Sequence, residues 1–147
     1  MFDDKLSYIT LSGEKFPLRC GMEVLEVVQD KYGSVEEFEN RLMPFEQKKD
    51  ENGEYVLNEE GVPIGRYVMP KIADLGDALH LMVTAGLEME ADMTGKEIRS
   101  VTRKELLQKA DMPPAVLGEK LHAEMMRCFR RKNGTATQEK ETADRNG

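Results

Sequence analysis

Residues 15–42, KFPLRCGMEVLEVVQDKYGSVEEFENRL, carry local signals in an order that leaves the backbone few choices. Phe16, Leu18 and Cys20 alternate with Pro17 and Arg19, the period of two of a half-buried strand. Pro17 has no N–H to give a ladder, so the strand belongs at a sheet edge or a first pairing position. Gly21 ends it. Met22, Leu25, Val28 and Tyr32 then recur at helical spacing, with Val24 and Val27 widening the stripe and Glu23, Glu26, Gln29 and Asp30 opposite. Gly33 is placed to close that helix in a left-handed conformation. Ser34 and Glu37 form the capping-box pattern that opens the next, along which Val35, Phe38 and Leu42 continue the apolar stripe.

Upstream, residues 6–11 (LSYITL) read as a first strand and Ser12, Gly13 and Glu14 as the turn into the second, which makes an N-terminal β-hairpin. Two strands alone are marginal in water, so the hairpin must lie on the helix that begins at Met22 or recruit further strands, from this chain or another subunit. Its free edge is a candidate assembly surface. Beyond Pro44 the composition turns polar, and residues 45–70 read as a long excursion. Within it, residues 55–57 are expected to pair with residues 66–69 across 58–65 as a second hairpin.

Helical period returns at Ile72. Leu75, Leu79, Met82, Val83, Gly86, Leu87 and Met89 share one broad face, and Asp74 and Asp77 near the start favour the helix dipole. This is the expected central core helix, in which Gly86 either weakens the helix or permits close packing. Thr94 with Glu97 and Thr102 with Glu105 match the capping-box pattern, predicting helices over residues 95–100 and 103–109. Pro113 and Pro114 restart the chain into a last helix over 113–131, with Val116, Leu117, Leu121, Met125, Cys128 and Phe129 inward and Arg127, Arg130, Arg131 and Lys132 at its C-terminal end. Residues 133–147 lack an apolar pattern and are expected to be a disordered tail. The reading is therefore α+β and mainly helical: one domain over 1–132 in which the hairpin packs on about five helices.

Charge is uneven. Residues 1–92 hold nine cations against twenty carboxylates (−11), and residues 93–147 hold twelve against eight (+4), giving the net −7. That asymmetry favours head-to-tail self-association or a partner of complementary charge. Cys20 and Cys128 show no CxxC spacing, which fits a reducing cytoplasm, and no apolar run approaches the roughly 20 residues of a membrane span. There is no phosphate loop, zinc spacing, HExxH or GxSxG, and His80 and His122 stand apart from any triad-like set. Glu36–Glu37 and Glu59–Glu60 are neighbours in sequence that would not share a buried setting. No catalytic, cofactor or metal residues are assigned. Lys96, Arg99, Arg103, Lys104 and Lys109 on short helices suggest a small DNA-binding regulator, against which stand interspersed Glu97, Glu105 and Glu119 and the net charge.

Ile9-Thr10-Leu11, Lys15-Phe16-Pro17-Leu18-Arg19, Met22, Leu25-Glu26, Lys31-Tyr32-Gly33-Ser34 and Glu36-Glu37, in that order, resemble the opening of tail assembly chaperones of long-tailed bacteriophages and prophages. The resemblance covers about the first third of the chain, is weaker after Lys71 and absent over 45–70 and the tail. It implies a non-enzymatic protein of the bacterial host cytoplasm, without cofactor. Such a protein coats the tape measure protein and keeps it from aggregating until tail tube subunits replace it. A structural neck or tail component of the particle is the other reading in that setting. Beside the resemblance, methionine suits an adaptable grip on apolar helices, and Met82, Met89 and Met93, or Met125 and Met126, are the expected groove residues.

Overall fold

The computed structural model describes residues 6–129. In chain order these form β1 (Ser7–Leu11), β2 (Glu14–Leu18), α1 (Met22–Tyr32), α2 (Val35–Leu42), β3 (Phe45–Gln47), β4 (Gly65–Tyr67), α3 (Ile72–Thr94), α4 (Arg103–Lys109) and α5, helical from 114 to 129. The expected α+β, mainly helical architecture is present, with its N-terminal hairpin and five helices. The Arg130, Arg131 and Lys132 cluster and the tail expected to be disordered lie outside the described residues.

β1 and β2 pair antiparallel, with Ile9 opposite Phe16 and Leu11 opposite Glu14. Only Ser12 and Gly13 lie between the strands, with φ of 50° and 79°, the positive pair a two-residue hairpin turn demands. Glu14 thus belongs to β2 rather than to the turn. Ser12 accepts the unusual backbone because its hydroxyl donates to the Lys109 carbonyl at 2.7 Å, one of the orphan acceptors at the end of α4. Ile9, Leu11, Phe16 and Leu18 are buried, and β2 lies on α3 rather than on α1, the helix expected to carry the hairpin.

Gly86 is where α3 meets β2. A Cβ there would lie 2.5 Å from the Pro17 carbonyl oxygen and 2.9 Å from the Leu18 nitrogen, so glycine lets helix and strand backbones touch. The Arg19 N–H then donates to the Met82 carbonyl at 3.0 Å, tying the exit of β2 to the same helix. Around this contact Val24, Val28, Phe38, Leu42, Leu75, Leu79, Met82, Leu106, Leu121 and Met125 complete the core. α5 approaches α2 equally closely at Gly118, whose Cβ would lie 2.3 Å from the Leu42 carbonyl oxygen.

Local signals hold at both helices after the hairpin. Gly33 has φ of 88° and its N–H caps Gln29, and the Ser34 hydroxyl accepts from the Glu37 N–H at 3.0 Å. Thr102 caps α4 in the same way through the Glu105 N–H. Thr94 does not. It is the last residue of α3, its hydroxyl donates back to the Glu90 carbonyl at 2.8 Å, and the helix expected over 95–100 is absent. Gly95 at φ of 71° ends α3, and the chain runs back along that helix until Val101 is buried and its carbonyl meets His80 Nε2 at 3.1 Å. Some stripe positions are also displaced: Met22, Val27, Ile72 and Val116 are exposed, because the inward face of each helix is narrower than its apolar stripe.

The excursion has an order that the expected second hairpin misses. β4 pairs with β3, while Lys49 bridges Tyr55 and Leu57 bridges Pro63. At the centre the Lys48 N–H donates to the Ile64 carbonyl, Ile64 to Val56, and Val56 to Lys48, at 2.7, 3.0 and 2.9 Å. Three hairpins thus meet at residues spaced eight apart. Their two outer turns are copies. Asp50 Oδ1 accepts from the N–H groups of Asn52 and Glu54, and Asn58 Oδ1 from those of Glu60 and Val62. Gly53 and Gly61 take the left-handed position in each. Residues 55–57 face both flanks rather than 66–69 because the short repeat supplies two turns where one was expected.

Candidate functional site

β1, the last turns of α3 and the return segment after Gly95 enclose an open groove of about 710 Å³. Buried Leu87 and Ala91 form its floor, and Leu6, Tyr8 and Met93 its apolar walls. Tyr8 stands on the face of β1 opposite Ile9 and Leu11, since side chains alternate along a strand. Its hydroxyl donates to Glu90 Oε2 at 3.2 Å and Lys15 Nζ lies 5.0 Å from its ring centroid. Burial, then the hydrogen bond to Glu90 and that residue's negative charge, raise the Tyr8 phenol above its ordinary value. The phenol therefore stays neutral and serves as a fixed hydrogen-bonding rim on an apolar trough.

Two ionic clamps hold the return segment and α4 in place. Glu14 accepts from Lys109 Nζ at 3.0 Å and from Arg99, and both cations lie over the ring of buried Phe16, at 5.5 and 4.8 Å from its centroid. Asp77 accepts from Lys31 at 2.9 Å and Arg103 at 2.8 Å, and Arg103 also donates to the Ala73 carbonyl. Three of the cations weighed for DNA contact, Arg99, Arg103 and Lys109, are thereby engaged with carboxylates of this chain. Lys109 and then Arg99 hold the Glu14 carboxyl below its ordinary range, and Lys31 followed by Arg103 does the same to Asp77. A carboxylate with a depressed folded-state pKa stabilises the fold fully above its unfolded pKa and loses that contribution as pH falls through the folded value. Stability should accordingly decline as pH falls below about 4. Asp77→Asn is expected to cost roughly 0.5–1 kcal/mol at neutral pH and almost nothing in acid, which urea titrations across that range would read. An equal loss at every pH would show that the clamp is not ionic.

Of the five methionines expected to line a groove, Met93 lines this one, at 57% exposure. Met82 and Met125 are fully buried and belong to the core, which corrects their expected place. Met89 and Met126 are partly buried, and Met126 packs against the core. Helical spacing selects the apolar face but does not tell packed sulfur from exposed sulfur. Tyr8 was missed, although an aromatic out of phase with Ile9 and Leu11 was the available signal.

Among the described residues no three His, Cys, Asp or Glu side chains are grouped to hold a metal, and no helix is long and apolar enough to cross a membrane. Cys20 and Cys128 are free and buried, and burial, with Cys128 nearby, pushes the Cys20 thiol up to about 12. It is therefore a thiol rather than a nucleophilic thiolate at neutral pH. Glu124 is 4% exposed, but Arg127 neutralises it through two 2.8 Å hydrogen bonds. His122 Nε2 is spent on Glu39 at 3.1 Å, joining α5 to α2. Compared with protein-family models, curated proteins and solved structures, the chain matches none.

Proposed function

We propose that this protein is a tail assembly chaperone of a long-tailed phage, acting in the cytoplasm of the bacterial host. It binds the tape measure protein and keeps that protein soluble until tail tube subunits displace it. The observation that carries the reading is the family-like order of residues from Ile9 to Glu37, which coincides with the hairpin, α1, the Gly33 stop and the Ser34-capped α2. An apolar groove opening beside that hairpin is compatible with it. An amphipathic helix presents apolar side chains every three or four residues, and a trough of Leu87, Ala91 and Met93 with a Tyr8 rim suits such anchors. Weak contacts repeated along a long helix would give retention that remains displaceable.

Co-expression with the long coiled-coil-rich protein encoded nearby tests this directly. Copurification of many copies per partner, with the partner rendered soluble, is the expected result. Met93→Lys, on an exposed position, should leave the fold intact and weaken retention about tenfold, equivalent to about 1.4 kcal/mol. A chain that elutes alone while the long protein precipitates would end the chaperone reading. Full retention by the Met93 variant would move the contact out of this groove.

A further inference from the structure

The three-hairpin arm over 45–67 is built without a core. From 45 to 69 no residue is buried, yet this segment holds seven of the fourteen exposed large apolar side chains among the described residues. Apart from the Phe45 and Tyr67 rings, which meet edge-on at 5.3 Å, its short strands bury no apolar face; such strands are marginal in water, and clustered exposed apolar groups mark contact surfaces. The arm's charge indicates what covers it. Glu51, Glu54, Glu59 and Glu60 lie in the two repeated turns, and no side-chain ion pair engages them among the described residues. Along the stem, Lys48, Lys49 and Arg66 line a concavity of about 650 Å³ with Ile64 beside them. Glu46 is the single carboxylate on its lining, 3.9 Å from Arg66.

One small unit therefore carries two acidic turns and a basic groove. A two-fold contact between identical copies can use that arrangement twice over, because the turns of each copy then meet the groove of the other. We propose that the arm is a self-association surface: two copies of this chain dock arm to arm, the acidic turns of one on the Lys48, Lys49 and Arg66 groove of the other. Tyr55, Leu57 and Val62, each about half exposed, are covered in the contact. No residue of the arm lines the Tyr8 and Met93 groove, so the pairing draws on a separate surface. The inference stands on the arm alone and does not depend on what that groove binds.

Sedimentation velocity of the full chain, across micromolar concentrations and at low and high salt, tests it. A reversible dimer is expected, with affinity falling roughly tenfold or more as salt screens the pairing. Two charge-reversed chains separate this from other modes: one with Glu51, Glu54, Glu59 and Glu60→Lys, the other with Lys48, Lys49 and Arg66→Glu. Each alone should be monomeric, and mixing them should restore a dimer. A third chain, in which a short Gly-Ser loop joins Phe45 directly to its partner Tyr67, should be a monomer with an intact helical signal. Monomers at every concentration, a dimer indifferent to these changes, or a mixture that stays monomeric would each overturn the proposal. So would an arm that is monomeric by itself but is occupied by the long partner protein.

Discussion

Replacing Phe16 by alanine is expected to lower the stability of the folded chain by about 4 kcal/mol, a large part of the roughly 5–15 kcal/mol that holds a domain of this size together. Phe16 is fully buried and lies opposite Ile9 in the hairpin. Its ring also carries Arg99 and Lys109, which Glu14 holds in place from two positions earlier on the same strand. Truncation therefore opens a cavity, removes two cation–π contacts and loosens the return segment that shapes the groove. Phe16→Leu refills much of the space and should recover over half of the loss while leaving the cations without a ring. Urea unfolding monitored by helical signal would measure both. A loss below about 1 kcal/mol for the alanine variant would mean that the hairpin is not packed as described.

Gly86→Ala is the second large effect, and its sign runs against helix propensity. In an exposed helix the change would stabilise by up to about 1 kcal/mol. Here the added methyl meets the Pro17 carbonyl at 2.5 Å and 2.6 Å to its carbon, backbone atoms that cannot rotate away. Overpacking of this kind costs about 1–3 kcal/mol, so a net loss near 2 kcal/mol and a fall in Tm on the order of 5–10 °C are expected. Gly76→Ala is the internal control. Its methyl would meet the end of the Arg103 side chain at 2.9 Å, which can move, so a much smaller effect is expected. Equal effects at the two positions would show that α3 has room to shift from β2.

The contrast between Thr94 and Ser34 shows how far local signals reach. Both begin a capping-box pattern, yet Ser34 follows a glycine that has already ended a helix, whereas Thr94 precedes one. Position relative to the glycine, which decides where φ becomes positive, separates an N-cap from a last helical residue. The arm is a similar case. Its eight-residue repeat is written in Asp50 and Asn58, Gly53 and Gly61, and was readable; which strand pairs with which depends on a backbone triad closed by residues sixteen apart. For the groove, Met93 was named from the sequence, but Tyr8, Leu6 and the return segment were not, because nothing local states that residues some ninety positions apart line one surface.

By itself the sequence determined the elements whose causes are local: the hairpin, the Gly33 stop, the Ser34 and Thr102 caps and the apolar faces of α3 and α5. These follow from hydrogen bonds and torsions within a few residues. Tertiary structure alone decided which members of each apolar face are core. Met82 and Met125 became packing and Met93 became surface because burial depends on what lies opposite, and the elements opposite come from distant parts of the chain. It also settled the two roles open to Gly86, since the approach of Pro17 to α3 is a contact between backbones nearly seventy residues apart, with no trace in the residues around either one.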